Sequence, residues 1–269
     1  MSDRVLDELA RFAHDLLDVT DRIALEAFRT GMNPDRKADG TLVTATDVEV
    51  EHVIRDRLAA RFPADGFIGE ELGTEAADAE RVWIVDPIDA THNFVRGIGI
   101  FATLVAARIE DELAIGFGSA PAMGERWWGI AGRGAFRRDV AGERRIGVSS
   151  IDRLASGQLL YGDAGSLDGR VVRVATQAWR SRGFGDFWSH MLVASGSAEA
   201  MVEDGVRPYD MAAPYVVVTE AGGRMTDLDG HPSWTDTRIV SSNGRVHDEL
   251  LARLRDESIE RQTGATGSG

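Results

Sequence analysis

One stretch of the sequence, "RVWIVDPIDATHNFVRG" at residues 81–97, limits what this chain can fold into. Its apolar run at residues 82–85 is typical of a buried strand, and Asp86 and Asp89 follow that run. Two close carboxylates repel each other unless a positive group lies between them, and a hard divalent cation is the usual group. A simple turn is the alternative, because Asp side chains bond nearby backbone amides.

Composition excludes several classes of protein. The 269 residues suffice for one large or two small domains, and 43% apolar with 28% charged residues is ordinary globular usage. A net charge of -14 disfavours nucleic-acid and membrane partners, which require basic patches. The chain has no cysteine, which excludes disulfides and thiolate chemistry. Because the N-terminus resembles no signal peptide and no run reaches membrane-spanning length, we expect a cytoplasmic protein.

Hydrophobic periodicity predicts helices and antiparallel strands in the first part of the chain. Residues 3–30 repeat apolar side chains at helical spacing. A second helix should begin near Thr46 or Asp47, either of which can cap free amides. Residues 67–68 predict a short strand, and two further strands should flank a turn at residues 110–112.

The pattern changes near residue 146, where short strands begin to alternate with helices. The strand candidates are residues 159–161, 198–202 and 238–241, and the helical candidates are residues 171–180, 187–194, 211–221 and 247–255. This alternation predicts a layered α/β arrangement. We therefore divide the chain into an N-terminal α+β half (1–145), a C-terminal α/β half (146–258) and a disordered tail (259–269).

Acidic residues recur at the ends of predicted elements, where side chains are held rigidly yet open to a cleft. They are Asp47, Glu70, Asp86, Asp89 and Asp210. Taken singly, each has a structural explanation as a helix N-cap or a turn residue. As a set, in this order and with these neighbours, they carry a resemblance to a known family.

The sequence resembles the inositol monophosphatase family of metal-dependent sugar and alcohol phosphatases. The resemblance covers nearly the whole chain in five ordered segments: "KADGTLVTATD", "GFIGEELG", "WIVDPIDATHNFVRG", "GIAGRGAF" and "YDMAAPYVVVTEAGG". It implies a five-layer αβαβα sandwich of the inositol monophosphatase and fructose-1,6-bisphosphatase type, with the active site between two halves. It also implies a homodimer.

The resemblance further implies two to three Mg²⁺ ions per active site. Glu70, Asp86 and the backbone carbonyl of Ile88 would bind one ion. Asp86, Asp89 and Asp210 would bind a second, and Glu70 would help to hold a third. Hard oxygen ligands suit Mg²⁺, which keeps several waters and needs no His or Cys. Most of these ligands lie in the N-terminal half, and Asp210 lies in the C-terminal half.

Catalytic roles follow from the same resemblance. Asp47 and Thr91, together with the metal-binding Glu70, would activate the attacking water, and the backbone amides of Ala90 and Thr91 would bind the phosphate. The family normally has glycine where this chain has Ala90. Glycine serves where the backbone takes a positive φ or approaches a ligand closely. We expect a working enzyme, and a non-catalytic metal-binding homologue is the alternative.

The substrate is indicated by "NFVRG", "GDF" and "APAMGERWWGIAGRGAF", which look most like the family's bacterial branch that dephosphorylates L-histidinol phosphate. Asp186 beside Glu203 would pair with a cationic amine of such a substrate. The alternative role for Asp186 is a helix N-cap. His190 is interpreted as a packed or solvated helix residue. Inositol 1-phosphate and other small sugar or nucleoside phosphates are the alternative substrates.

Overall fold

The computed structural model describes residues 2–31, 34–38, 40–165 and 168–256. The tail expected at residues 259–269 lies outside this part of the chain. The described helices are α1 (Asp3–Thr30), α2 (Ala45–Arg61), α3 (Thr91–Val95), α4 (Gly169–Ala175), α5 (Asp186–Ala194), α6 (Pro208–Glu220) and α7 (His247–Arg255). None of them is both long enough and apolar enough to cross a lipid bilayer.

The first sheet has eight strands, preceded by a two-stranded ribbon of β1 (Asp35–Arg36) and β2 (Leu42–Val43). The eight strands are β3 (Gly66–Gly69), β4 (Thr74–Glu75), β5 (Arg81–Asp89), β6 (Ala102–Ile109), β7 (Glu112–Ala120), β8 (Glu125–Ile130), β9 (Gly134–Asp139) and β10 (Gly142–Ile146). Their spatial order is β10-β9-β8-β7-β6-β5-β3-β4. Only β3 and β5 pair in parallel, so the predicted antiparallel strands are confirmed.

The second sheet has five strands. They are β11 (Gln158–Tyr161), β12 (Arg180–Gly183), β13 (Ala200–Asp204), β14 (Arg224–Thr226) and β15 (Arg238–Ser242). Their order is β12-β11-β13-β15-β14, with β11 parallel to both of its neighbours. The helix predicted over residues 171–180 is wrong at its end, because α4 stops at Ala175 and Arg180 begins β12. The division of the chain into two halves near residue 146 stays a prediction.

Helices and sheets stack in five layers, as expected. The first cluster of buried apolar residues joins α1 and α2 to one face of the first sheet. The second joins the other face to α5 and α6, which also contact the second sheet. The third joins α4 and α7 to the outer face of the second sheet. Trp127 and Trp128 are adjacent in β8 and point to opposite faces of the first sheet, and both faces are covered. Trp127 packs against Phe187 of α5, and Trp128 packs against His14 of α1.

Two glycines bring α6 close to the first sheet. A Cβ atom on Gly116 would lie 2.6 Å from the carbonyl oxygen of Ala213, and one on Gly129 would lie 2.7 Å from that of Val216. Both separations are too short for a side chain, so the helix backbone lies directly on β7 and β8. This close packing sets the position of the α6 N-terminus, which carries Asp210.

Candidate active site

Two of the predicted acids occupy equivalent positions in different helices. Asp47 is the third residue of α2, and its Oδ2 accepts a hydrogen bond from Thr44 N at 2.9 Å. Asp210 is the third residue of α6, and its Oδ2 accepts from Arg207 N at 2.8 Å. The expected N-cap at Thr46 or Asp47 is wrong, because the Thr44 hydroxyl caps α2. Both carboxylates are thus fixed at helix N-termini, where the helix dipole favours negative charge.

The strand β5 does not end before the acid pair but continues to Asp89. Its pairing with β6 is irregular between Asp86 and Asp89. In a regular strand, two residues three positions apart point to opposite faces, so this irregularity allows both carboxylates to reach one site. The segment between them is held by two hydrogen bonds: Ile88 N donates to Asp86 Oδ1 at 3.0 Å, and Thr103 Oγ1 donates to Pro87 O at 2.8 Å.

A cluster of three carboxylates forms where β5 meets α6. Oxygen atoms of Asp86, Asp89 and Asp210 all lie within 4.8 Å of one another. Burial raises the pKa of Asp86 well above its usual value, and the charges of Glu70 and the other two acids raise it further. Burial likewise raises the pKa of Asp210 to about 7. Such crowded, buried oxygen donors fit a hard divalent cation, which would relieve their repulsion.

Thr91 lies beside Asp47 at the start of α3. Its Oγ1 is 3.4 Å from Asp47 Oδ1 and 3.0 Å from the carbonyl oxygen of Ile88. The preceding residue, Ala90, has φ 65° and ψ 45°. This left-handed conformation costs a non-glycine residue roughly 1–2 kcal/mol, which is a physical reason for glycine at this position. The structure therefore brings together the predicted water-activating pair and shows a strained backbone next to it.

Glu70 follows β3 and contacts a residue to which the sequence analysis gave no role. Its backbone N donates to Val85 O at 3.2 Å, which ties it to β5. Lys37 Nζ lies 2.7 Å from Glu70 Oε1 and 2.5 Å from Glu71 Oε1. Lys37 is part of the "KADGTLVTATD" segment, but nothing local in that segment reveals its partners. The structure thus places the ammonium group of Lys37 against one of the predicted metal ligands.

Glu51 is a second residue that the sequence analysis missed. It lies one helical turn after Asp47 on α2 and is fully buried. Its two carboxylate oxygens accept hydrogen bonds from Glu71 N at 2.9 Å and Leu72 N at 2.7 Å. The available signal was the spacing of two acids on one face of a helix, next to apolar Val50. Glu51 fixes the loop that carries Glu70.

The predicted substrate-binding acids also lie together. Asp186 begins α5 with φ 53°, but the N-cap is Gly185, so the N-cap interpretation of Asp186 is wrong. Asp186 N donates to Oε1 of Glu203, which lies on β13, at 2.8 Å. Burial, followed by the Glu203 charge, raises the pKa of Asp186 to about 7. Phe187 N donates to Asp89 Oδ2 at 2.9 Å, so this acidic pair adjoins the carboxylate cluster.

Comparison with known proteins identifies the family of the chain. A sequence model of the inositol monophosphatase family matches residues 5–260. The chain is 39% identical over 261 residues to a histidinol-phosphatase of Streptomyces coelicolor, which covers 93% of this chain and 97% of that protein. It is 40% identical over 260 residues to a histidinol-phosphatase of Mycobacterium tuberculosis, with coverage of 94% and 95%.

A solved structure gives the same assignment. The fold matches that of the Thermotoga maritima IMPase with a TM-score of 0.85 at 28% identity, over 94% of this chain and 99% of that one. The five-layer fold and the sequence matches therefore agree. The chain belongs to the inositol monophosphatase family.

Proposed function

We propose that the protein is a Mg²⁺-dependent phosphoric monoester hydrolase whose substrate is L-histidinol phosphate. One observation carries the proposal: the cluster of Asp86, Asp89 and Asp210 adjoins a second acidic pair, Asp186 and Glu203. The cluster suits a metal and a phosphate, and the pair suits a cationic group on the same substrate.

The metal-binding residues are proposed as follows. Glu70, Asp86 and the carbonyl of Ile88 would hold one Mg²⁺, the three clustered aspartates would hold a second, and Glu70 would contribute to a third. Bound Mg²⁺ neutralises phosphoryl charge and lowers the pKa of water. The support is the chemistry of the donors, because every side-chain ligand is a carboxylate and the three clustered ones lie within 4.8 Å of one another.

The protein's own contribution to hydrolysis is the orientation and deprotonation of water. Thr91 Oγ1 lies between Asp47 Oδ1 and the carbonyl of Ile88, which fixes the hydroxyl where it can accept from a water. Burial raises the pKa of Asp47, which makes its carboxylate a stronger base. The backbone amides of Ala90 and Thr91 bind the phosphate. Asp47 would take a proton from the attacking water as the new P–O bond forms. The ester P–O bond would break in line with the attack, and the leaving alkoxide would take a proton from solvent, which gives the alcohol and inorganic phosphate.

Substrate choice rests on charge. Histidinol phosphate carries an ammonium group and an imidazole, and two carboxylates near the phosphate site favour such cations. Inositol phosphate offers hydroxyl groups only. The relatives from Streptomyces coelicolor and Mycobacterium tuberculosis are both named histidinol-phosphatase, which supports the same substrate.

The test is a comparison of kcat/KM with Mg²⁺ for histidinol phosphate, inositol 1-phosphate, fructose 1,6-bisphosphate and nucleoside monophosphates. We expect histidinol phosphate to be preferred by about tenfold or more, because a charge-assisted contact contributes about 1.5–3 kcal/mol. Asp186→Asn should cost histidinol phosphate about ten- to a hundredfold more than inositol 1-phosphate. A preference for another ester would replace the substrate, and full activity in EDTA would overturn the metal dependence.

We also propose a cytoplasmic homodimer. The family resemblance supports the dimer, and a cysteine-free sequence is compatible with a reducing compartment. Light scattering after size exclusion should give twice the mass of the chain. A mass equal to one chain at micromolar concentration would contradict the dimer.

A further inference from the structure

We propose that His190 is a positioning residue for the cationic end of the substrate. It would hold Glu203, and through Glu203 the backbone at Asp186, in the arrangement that selects a positively charged phosphomonoester. This inference rests on the proposed function, which supplies the charged substrate. It assigns to His190 a role beyond the packed helix residue that the sequence indicated.

The His190 ring is fully buried, and both of its nitrogens have polar partners. Nε2 lies 2.9 Å from Glu203 Oε2, and Nδ1 lies 2.8 Å from the hydroxyl oxygen of Ser241 on β15. An ionised carboxylate only accepts hydrogen bonds, so Nε2 carries the proton and donates it to Glu203. In the neutral ring, Nδ1 then accepts from Ser241. The three side chains form one directed chain from the second sheet to the acidic pair.

The other oxygen of Glu203 is fixed as well. Oε1 accepts from Asp186 N at 2.8 Å. Asp186 has φ 53°, a left-handed conformation that is strained for a residue with a side chain, so its surroundings must hold it there. A Cβ atom on Gly162 would lie 3.1 Å from Oε1, so the chain after β11 also approaches the carboxylate closely. Glu203 is therefore held at both of its oxygens, by Asp186 N and by His190 Nε2, and stays beside Asp186, where it faces a cationic substrate.

This chain of contacts ends at the reaction centre. The residue after Asp186 is Phe187, whose backbone N donates to Asp89 Oδ2 at 2.9 Å. A shift of Glu203 would release the turn at Asp186 and thereby displace the acidic pair relative to Asp89. His190 reaches Glu203 through one ring nitrogen and so holds the carboxylate in place beside Asp186. The geometry thus links a buried histidine to substrate selectivity.

Two substitutions separate positioning from simple packing. His190→Gln keeps an amide donor near the position of Nε2 and can still donate to Glu203. His190→Asn places its amide nearer to Nδ1 and leaves Glu203 without that donor. We expect His190→Asn to raise KM for histidinol phosphate by about tenfold or more, and His190→Gln to restore most of this loss, because such supporting contacts are worth about 10–100-fold.

A matched control is available on the other face of the second sheet. His247 is fully buried, and its nitrogens lie 2.8 Å from Ser242 Oγ and 3.0 Å from Thr226 Oγ1. Like His190 it is buried with a polar partner at each ring nitrogen, but its partners are two hydroxyl groups and not Glu203. His247→Asn should lower the melting temperature as His190→Asn does, without changing KM for histidinol phosphate.

Binding of the alcohol product gives a readout that does not depend on turnover. Calorimetry should show weaker L-histidinol binding by His190→Asn than by His190→Gln. Equal KM and equal L-histidinol affinity in these two variants would overturn the inference. An identical loss for histidinol phosphate and for glycerol 2-phosphate, whose alcohol part carries no cationic group, would overturn it as well. A wild-type protein with no preference for histidinol phosphate would overturn the proposed function itself, and this inference with it.

Discussion

The carboxylate of Glu51 occupies the space that a side chain on Gly69 would need. A Cβ atom on Gly69 would lie 2.0 Å from Glu51 Oε1. Because Gly69 has no side chain, the carboxylate can reach past β3 and accept from the amides of Glu71 and Leu72. This contact joins α2, which carries Asp47, to the loop that carries Glu70.

The first prediction concerns this contact. Gly69→Ala should destabilise the protein by about 1–3 kcal/mol, because a methyl group would have to displace a buried, hydrogen-bonded carboxylate. It should also weaken Mg²⁺ binding, since the loop with Glu70 would move. Urea denaturation and a Mg²⁺ titration measure the two effects. Gly169→Ala is the matched control, because a Cβ atom there meets nothing within 4 Å. Equal denaturation midpoints for the two variants would contradict the prediction.

The second prediction concerns the carboxylate cluster. Asp89→Asn and Asp210→Asn should each lower kcat by about a hundredfold or more, because each removes a charged ligand from the proposed metal site. Steady-state kinetics at saturating Mg²⁺ measure the loss. Asp111→Asn changes an exposed turn between β6 and β7 and should leave kcat unaltered. Near-normal turnover of either cluster variant would rule out its role as a metal ligand.

The third prediction concerns pH and metal removal. Burial raises the pKa values of Asp86, Asp89 and Asp210 in the folded protein, to about 7 for Asp210. The pKa of Asp in an unfolded chain is about 4, so between this pH and the folded-state pKa values the folded protein holds more protons than the unfolded chain. The contribution of these three aspartates to the free energy of unfolding of the metal-free protein is therefore greatest at low pH. It is lost as the pH rises through the folded-state pKa values.

Added Mg²⁺ should offset this loss where the carboxylates are ionised. We expect a larger rise in melting temperature on adding Mg²⁺ at about pH 8 than at about pH 5.5. The measurement is thermal unfolding of EDTA-treated protein, with KCl at equal ionic strength as the control for screening. The same shift with KCl, or no shift at the higher pH, would argue against a preformed multi-carboxylate site.

The acids at the carboxylate cluster could be predicted from sequence because each lies in a distinctive local segment. Asp86 and Asp89 follow a clear strand pattern, and Asp210 lies at the start of a helix. Glu51 and Lys37 lie in ordinary segments, and their roles depend on partners about 20 and 33 residues away, which periodicity does not reveal.

Boundaries were harder to predict than elements. Thr44 caps α2 because its hydroxyl faces the free amides, although Thr46 and Asp47 are equally good capping residues by type. By residue type Asp186 is a good N-cap, but the chain has a positive φ at both Gly185 and Asp186, and Gly185 takes the N-cap position. The layered α/β arrangement after residue 146 could be predicted because alternating strands and helices need only approximate ends, whereas caps depend on single backbone angles. The five-layer sandwich was implied by the family resemblance.

The fourth prediction concerns Ala90, where the family resemblance led us to expect glycine. At φ 65°, an alanine costs the folded state roughly 1–2 kcal/mol that a glycine would avoid. A glycine in turn costs about 0.5–1 kcal/mol of stability, because its unfolded chain has more conformational freedom to lose. Ala90→Gly should therefore stabilise the protein slightly, by about 1 kcal/mol or less, and raise kcat no more than severalfold.

Denaturant unfolding and kinetics test the Ala90→Gly variant. Ala59→Gly in the exposed part of α2 is the control, and it should instead destabilise the protein by about 1 kcal/mol, because glycine disfavours a helix. If wild type were inactive on every phosphoester and Ala90→Gly alone were active, the non-catalytic alternative would be correct. If both hydrolyse histidinol phosphate at similar rates, the strained alanine is tolerated, because the phosphate-binding amides keep their positions without the glycine.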